Sequence, residues 1–431
     1  MKKFYSILLI VAMIFSLVAC GGGSSQSDSV ELTVVTPFNE KDGNRKNFVE
    51  AYTAFEEDTG IKINDVETKV VDEQWKMKVL EDFRDGNDPD VIYFFTGADA
   101  NELIKNDKIV SISDIRAEFP DYASNMKESL MPVSLFDGRQ YAVPVNGYWE
   151  GLFVNKQVLA DCGVDIPGTE YTWDQFLVDC QTIKDNGYTP IACSLMQIPH
   201  YWFEYTIFNN GTVASHPKLP EEAGDEIGQN WINGLNDIKT LYEKGFFPSN
   251  TNEVGDDDTA MTILENKSAF LLDGSWKVGW FQDNSEKLGI DVNNFAVTYV
   301  PAKNNRKATD SIGGFSMGYY ISQSAWNDPE KREACVKFVT AMTTDEVASA
   351  FGELTVTALS NGVIQTGEEL DMLAQSTIEM TKGCTAIVPA VQDSLSPESR
   401  DNLFKNIPNI VIDKVTAEDA IKESLKIFAN S

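Results

Sequence analysis

Gly314-Phe315-Ser316-Met317-Gly318 has the Gly-x-Ser-x-Gly spacing of a hydrolase nucleophile elbow. That elbow needs a strand, a sharp turn and a helix, with histidine later in the chain than the serine. Here Tyr319, Tyr320 and Ile321 continue as strand, and both histidines, His200 and His216, precede Ser316. The match is one of spacing alone. Two histidines and no Cys-x-x-Cys pair leave no transition-metal ligand set, and no phosphate-cradling glycine motif is present. Asp256-Asp257-Asp258 lacks the sequel of a calcium loop and reads as the acidic first turn of a helix carrying Met261 and Leu264. The 66 acidic residues make carboxylate pairs inevitable, but the eightfold strand and helix alternation of a glycosidase barrel is missing. No catalytic residue, no metal and no cofactor is expected.

The remaining chemistry is that of binding. In Gly274-Ser275-Trp276 the glycine lets backbone approach a ligand, and the tryptophan can lay its face against a sugar ring while hydroxyls find polar partners. Trp276 as a core residue is the competing reading. His200-Tyr201-Trp202-Phe203, after Pro199, could likewise stack a ligand or fill a core corner. Tyr141 to Lys156, YAVPVNGYWEGLFVNK, is an apolar and aromatic run with Pro144 and Gly147 inside it. Breakers within a strand pattern mark an extended segment leaving one packed body for another, and small ligands bind where two bodies face each other. Neighbouring side chains of a strand point to opposite faces, so at most one of Tyr148 and Trp149 looks into such a gap.

The elements that would carry these residues begin with a strand over Glu31 to Phe38 and a helix whose stripe is Phe48, Ala51, Tyr52 and Phe55, stopped at Gly60. A strand at Ile61 to Val66, a helix at Trp75 to Phe83 and the apolar strand Val91 to Phe95 complete a parallel α/β pattern. Ligands of open α/β sheets sit beyond the carboxyl ends of the strands. This singles out Phe38-Asn39-Glu40 and Thr96-Gly97-Ala98-Asp99, with a turn role for Asn39 and a helix-cap role for Asp99 as alternatives. Further on, Thr172 and Gln175 form a capping box before the stripe Phe176, Cys180 and Ile183, and Trp231 to Tyr242 is a second marked helix. Ala269 runs as a buried strand into Gly274, Phe295 to Pro301 reads as a second crossing between bodies, and Gly313 to Ile321 as one strand of the first body. Asp328-Pro329 opens a helix with Cys335, Phe338, Val339 and Met342 inward. Leu359 and the Gly362 region suggest a third crossing, and Thr416 caps a terminal helix.

A chain of 431 residues calls for two domains. Residues 1–19 read as a signal peptide: Lys2 and Lys3, then an apolar run too short to span a bilayer. Leu17-Val18-Ala19-Cys20 resembles a lipobox, which implies acylation of Cys20, while an ordinary secreted protein cut near Ala19 is the alternative. Residues 20–29 form a flexible tether, of which GGGSSQSDS would reach roughly 15 to 18 Å. The net charge of −31 becomes still more negative when the leader is removed, which argues against nucleic acid and anionic surfaces as partners. The other five cysteines, Cys162, Cys180, Cys193, Cys335 and Cys384, are odd in number. Buried free thiols are the default, with a bridge from Cys193 to Cys162 or Cys180 as the alternative.

Five landmarks in order, Asp88-Pro89-Asp90-Val91, Tyr141-Ala142-Val143-Pro144 with Phe153-Val154-Asn155-Lys156, Thr172-Trp173-Asp174, Gly274-Ser275-Trp276 and Gly313-Gly314, resemble extracellular solute-binding protein family 1, the lipoprotein receptors of ABC importers for sugars. The resemblance implies a two-lobe α/β fold of the type II periplasmic-binding-protein kind, each lobe a mixed sheet flanked by helices, joined by about three hinge crossings. Lobe 1 would comprise 30–143 plus 297–358, and lobe 2 144–296 plus 359–431. It further implies ligand-binding positions at Phe38, Asn39, Gly97, Asp99, Tyr148, Trp202, Ser275, Trp276, Gly313 and Gly314, a structural role for Trp173, and Arg400 as a wall candidate. Many relatives carry an acid or amide where Tyr148 stands. The implied protein is a non-enzymatic monomer at the outer face of the cytoplasmic membrane, anchored through Cys20, that hands a carbohydrate to permease subunits. A receptor for peptides or polyamines on the same fold and a surface-anchored carbohydrate enzyme are the alternatives.

Overall fold

The structure is a computed structural model that describes residues 30–40, 42–66, 72–352, 355, 357–360 and 370–430. Cys20, its leader and Gly362 lie outside these residues. In chain order the strands are β1 (Glu31–Val35), β2 (Lys62–Val66), β3 (Val91–Phe95), β4 (Tyr148–Asn155), β5 (Thr189–Ala192), β6 (Ser268–Gly274), β7 (Phe295–Thr298), β8 (Asp310–Gly314), β9 (Met317–Ile321) and β10 (Ala386–Val388). They form two mixed sheets flanked by helices, ordered β2-β1-β3-β9 and β10-β8-β4-β6-β5, with β7 also paired to β4. This is the expected α/β fold.

The first sheet follows from its local pattern. β1, β2 and β3 are parallel and β9 is antiparallel, from Val91 opposite Ile321 to Phe95 opposite Met317. The helix Arg45–Thr59 buries Phe48 and Phe55 against one face and ends at Gly60, whose φ of 72° suits a residue without Cβ. Asp90 ties the layers together: its carboxylate accepts the Thr33 N–H at 2.8 Å and the Lys331 ammonium at 2.9 Å. The Asp-Pro-Asp landmark thus works as a structural clasp.

In the second sheet β4 is central and buried along seven of its eight residues. Leu152 and Val154 enter one core, with Phe176, Trp202 and Phe270. Trp149 and Phe153 enter the other, with Leu271, Phe281 and Val297. Apolar packing on both faces explains why β4 reads as a continuous apolar run. Thr172 caps the helix Trp173–Asp185 by accepting the Gln175 N–H at 3.2 Å. The Gln175 amide donates instead to Asp179, at 2.8 Å, so half of the expected capping box forms.

Three expectations about the path of the chain change. Phe295 to Pro301 is no crossing: β7 pairs antiparallel with β4 through Leu152 opposite Thr298 and Asn155 opposite Phe295. Gly313 to Ile321 is two strands rather than one, β8 in the second sheet and β9 in the first, so the chain crosses at Phe315 and Ser316. Gly314, at φ 147°, turns the backbone out of the ladder where a Cβ would be strained. Val297 and Thr298 of β7 and the whole of β8, counted with lobe 1 from sequence, therefore pair in the sheet of lobe 2. The first crossing lies where expected: Val143 still bridges Tyr319 of lobe 1, and Tyr148 already pairs with Gly314. Leu359 bridges Met126 in lobe 1 and the helix Met372–Gly383 contacts β7; the Gly362 region, expected to belong to a third crossing, lies outside the described residues. Cys162, Cys180, Cys193, Cys335 and Cys384 are all unbridged.

Candidate functional site

Strand alternation on β4 sends Tyr148 and Glu150 to one face and Trp149 to the other, where it packs with Phe153 at 6.1 Å between ring centroids. Opposite Glu150 in the antiparallel ladder stands Gly274. A Cβ on Gly274 would come within 2.1 Å of the Trp276 indole, so the ring lies flat over the glycine, in the space a side chain would fill. Paired residues of a ladder present their side chains about 5 Å apart on the same face. The indole therefore sits beside the Glu150 side chain. It is 36% exposed and has the Tyr148 ring at 6.3 Å and the Tyr201 ring at 6.0 Å. The Ser275 N–H donates to the Trp149 carbonyl at 2.9 Å and holds the turn that aims Trp276. A Cβ on Gly313 would meet the Tyr148 carbonyl at 2.6 Å, so glycine there lets β8 lie close to β4.

Carboxyls surround these rings. Glu150 is 2% exposed, and its Oε2 has no hydrogen-bond partner among the described residues. Burial pushes its carboxyl well above the ordinary range, and Glu204, Asp393 and Asp273 add repulsion. Glu204, fully buried, accepts the N–H groups of Val391 and Gln392 at 3.1 and 2.9 Å and lies 2.8 Å from His216 Nε2. Asp393 is pushed up to about 6 by burial, against the pull of Lys76 and Arg400. Asp273 reaches about 7 by burial, although Lys277 stands 3.5 Å away. Burial likewise raises the Tyr148 hydroxyl, which accepts the Ala390 N–H at 3.3 Å.

The first lobe closes over this face at three places. Gly43 lies against the carbonyl of Trp276 and against Gly279, where a Cβ on either glycine would fall at 2.8 to 3.0 Å from opposing backbone. A Cβ on Gly97 would fall 2.4 Å from the Asp393 carbonyl. Arg400, on the helix Pro397–Val411 and fully buried, grips Asp99 at 2.6 and 3.2 Å and Glu73 at 2.7 and 2.9 Å. Lys76 adds contacts at 2.9 Å to Glu73 and 3.6 Å to Asp99. Burial opposes ionisation of Glu73, but Lys76 and Arg400 hold its carboxyl down at about 2. Behind the latch, burial and Lys76 push the His200 imidazole down to about 3, so it stays neutral against Phe404.

Two lobes closing on an aromatic and polar face are the frame of a receptor, and the comparisons agree. The pattern of the bacterial extracellular solute-binding proteins matches residues 41–349. The chain belongs to that family. An uncharacterized ABC transporter extracellular-binding protein of Pyrococcus horikoshii is 25% identical over 313 residues, 67% of this chain and 68% of the relative. The diacetylchitobiose binding protein DasA of Streptomyces coelicolor is 27% identical over 196 residues, 43% of each chain. The solved structure of a chitin oligosaccharide binding protein superposes with a TM-score of 0.77 at 20% identity, covering 94% of this chain and 99% of that one, which shows the shared fold. The solute-binding family consists of binding proteins of importers rather than enzymes.

Within this member of the solute-binding family, Tyr148, Ser275, Trp276, Gly313 and Gly314 come together as one wall, faced by Gly97 and Asp99 from the other lobe. Asp99 is engaged, with both carboxylate oxygens on Arg400. Phe38 sits in the core of lobe 1, 5.1 to 5.4 Å from the rings of Phe48, Tyr93 and Phe351, and Asn39 beside it is half-buried in a turn on Pro37. Trp202 is 1% exposed and stacks on Phe176 at 5.7 Å inside lobe 2. One residue earlier, about 100° around the helix, Tyr201 is the ring that meets Trp276, at 6.0 Å. Sequence reading passed over Glu150, chose Trp202 rather than Tyr201 from the cluster His200 to Phe203, and passed over Asp393. Alternation from Tyr148 points to Glu150 and helical phase to Tyr201, whereas nothing local marks Asp393. Among the described residues no cluster of His, Cys, Asp and Glu is placed to hold a metal ion.

Proposed function

We propose that the protein captures a sugar or oligosaccharide between its lobes and delivers it to the permease of an ABC importer from the outer face of the cytoplasmic membrane, held there by acyl chains on Cys20. The observation that carries the reading is the Trp276 indole, flat over Gly274, partly exposed and flanked by Tyr148 and Tyr201. Such a platform buries the C–H face of a pyranose while Glu150, Asp393 and the Tyr148 hydroxyl offer acceptors to its hydroxyls. The diacetylchitobiose-binding and chitin oligosaccharide-binding relatives support the same class of ligand. Closure follows from differential contact: a solute resting on lobe 2 gains further partners from lobe 1 only in the closed form and so shifts the population toward it. Among the described residues no helix is long and apolar enough to cross a membrane.

Calorimetry with a panel of oligosaccharides, peptides and polyamines tests the reading. Binding of at least one oligosaccharide is expected, with Trp276→Ala weakening it by about 10- to 100-fold, as removal of an aromatic anchor does. Unchanged affinity in Trp276→Ala removes the stacking role, and turnover of any glycosidic bond removes the receptor reading. Release of the Cys20→Ala protein from cell membranes into the medium is expected from the anchor.

A further inference from the structure

The charges around the cleft do not balance. Arg400 and Lys76 are matched by Asp99 and Glu73, Lys277 lies between Asp256 at 3.0 Å and Asp273 at 3.5 Å, and His216 faces Glu204. Among the described residues neither Glu150 nor Asp393 has an ion pair, although Lys76 and Arg400 pull on Asp393 from a distance. Glu150 is buried, its Oε2 has no partner among the described residues, and its side chain shares a strand face with Tyr148 beside the Trp276 indole. A sugar hydroxyl would give that oxygen a hydrogen bond but no opposite charge, so the carboxyl among Glu204, Asp273 and Asp393 would stay protonated. An ammonium group supplies donors and opposite charge together, and the faces of Tyr148, Tyr201 and Trp276 attract a cation as well. Resting on the sugar-receptor reading, we infer that the solute carries a protonated amine, as in an oligosaccharide of 2-amino sugars whose nitrogens are not acylated, and that Glu150, assisted by Asp393, receives it.

The groups that face Glu150 are Tyr148 on its own strand, Glu204 and Tyr205 on the helix His200–Asn210, Asp273 on β6 and Asp393 on the short turn Val391–Ser394. All are acidic or neutral, so the empty site favours a protonated Glu150 and an arriving ammonium ionises it. Binding of an amine then releases a proton and weakens as pH falls, because protons compete for the same oxygen.

The test is calorimetry of the whole chain with the trimer of glucosamine, the trimer of N-acetylglucosamine, raffinose and spermidine, each in buffers of different ionisation enthalpy. The glucosamine trimer is expected to bind at least tenfold tighter than its acetylated counterpart, with buffer-dependent heat showing proton release. In Glu150→Gln that preference and the proton release are lost, and Asp393→Asn reduces the preference without rearranging β4. Equal or tighter binding of the acetylated trimer or raffinose overturns the inference and leaves the sugar reading standing. Binding of spermidine with no sugar binding supports the ammonium site and overturns the sugar reading. Binding of none of the four overturns both.

Discussion

At the scale of the residue, the cleft depends on side chains kept in uncomfortable surroundings. Asp393 carries a carboxyl raised to about 6 by burial, from about 3.9 in an unfolded chain. A raised carboxyl binds its proton more tightly in the folded state, so its contribution to stability is full below about pH 4 and is lost as pH rises through 6. Asp393→Asn should therefore be more stable than the natural protein at pH 8, by about 1–2 kcal/mol for a half-buried group, with the gain shrinking toward pH 4. Thermal unfolding of both proteins across that range checks this, and a difference independent of pH would contradict it. Trp276 shows the same economy in another form. Its ring occupies a space left by the missing side chain of Gly274, and a platform of that kind exists only where a glycine stands opposite in the fold.

At the scale of the element, the helix Pro397–Val411 links the lobes through one guanidinium. Arg400 came from sequence only as a wall candidate, but it forms a buried latch to Asp99 and Glu73 on two helices of lobe 1. Arg400→Leu leaves two buried carboxylates with Lys76 as their cation and should cost about 3–5 kcal/mol, read from chemical denaturation. The carboxyl of Glu73, held at about 2, contributes stability that is complete above about pH 4 and is lost as pH falls through 2. The gap between variant and natural protein should accordingly narrow in acid; a gap constant down to pH 2 would show that the latch is not ionic. The helix carrying Tyr201 and Trp202 teaches a related lesson. Its aromatic run is buried on nearly every side, so local pattern shows that the helix is central but not which ring meets the cleft.

At the scale of the whole molecule, closure depends on glycines where backbone meets backbone. Gly97 faces the Asp393 carbonyl across the lobe boundary, and a branched side chain there would hold the lobes apart. Gly97→Val should raise the radius of gyration measured by small-angle X-ray scattering and weaken solute binding at least tenfold, with each lobe folded as before. An unchanged radius would place Gly97 outside the closing surface.

The order of elements, the capped helices and the parallel strands of lobe 1 were legible in the sequence because they rest on short-range periodicity: a helix or strand declares its apolar face within a few residues. So was the passage between sheets at Pro144 and Gly147, where breakers interrupt an apolar strand pattern, whereas Trp276 stood equally open to a core and a ligand-facing reading. Tertiary structure alone decided that the crossing lies at Phe315 and Ser316, that Phe38 and Trp202 belong to cores while Tyr201 meets Trp276, and that Asp99 is spent on Arg400. It also decided that Glu150 and Asp393 come near enough to repel each other, with no ion pair to either among the described residues. These depend on which segments, far apart in the chain, bury one another, and charge compensation and backbone clearance have no signature until that pairing is made.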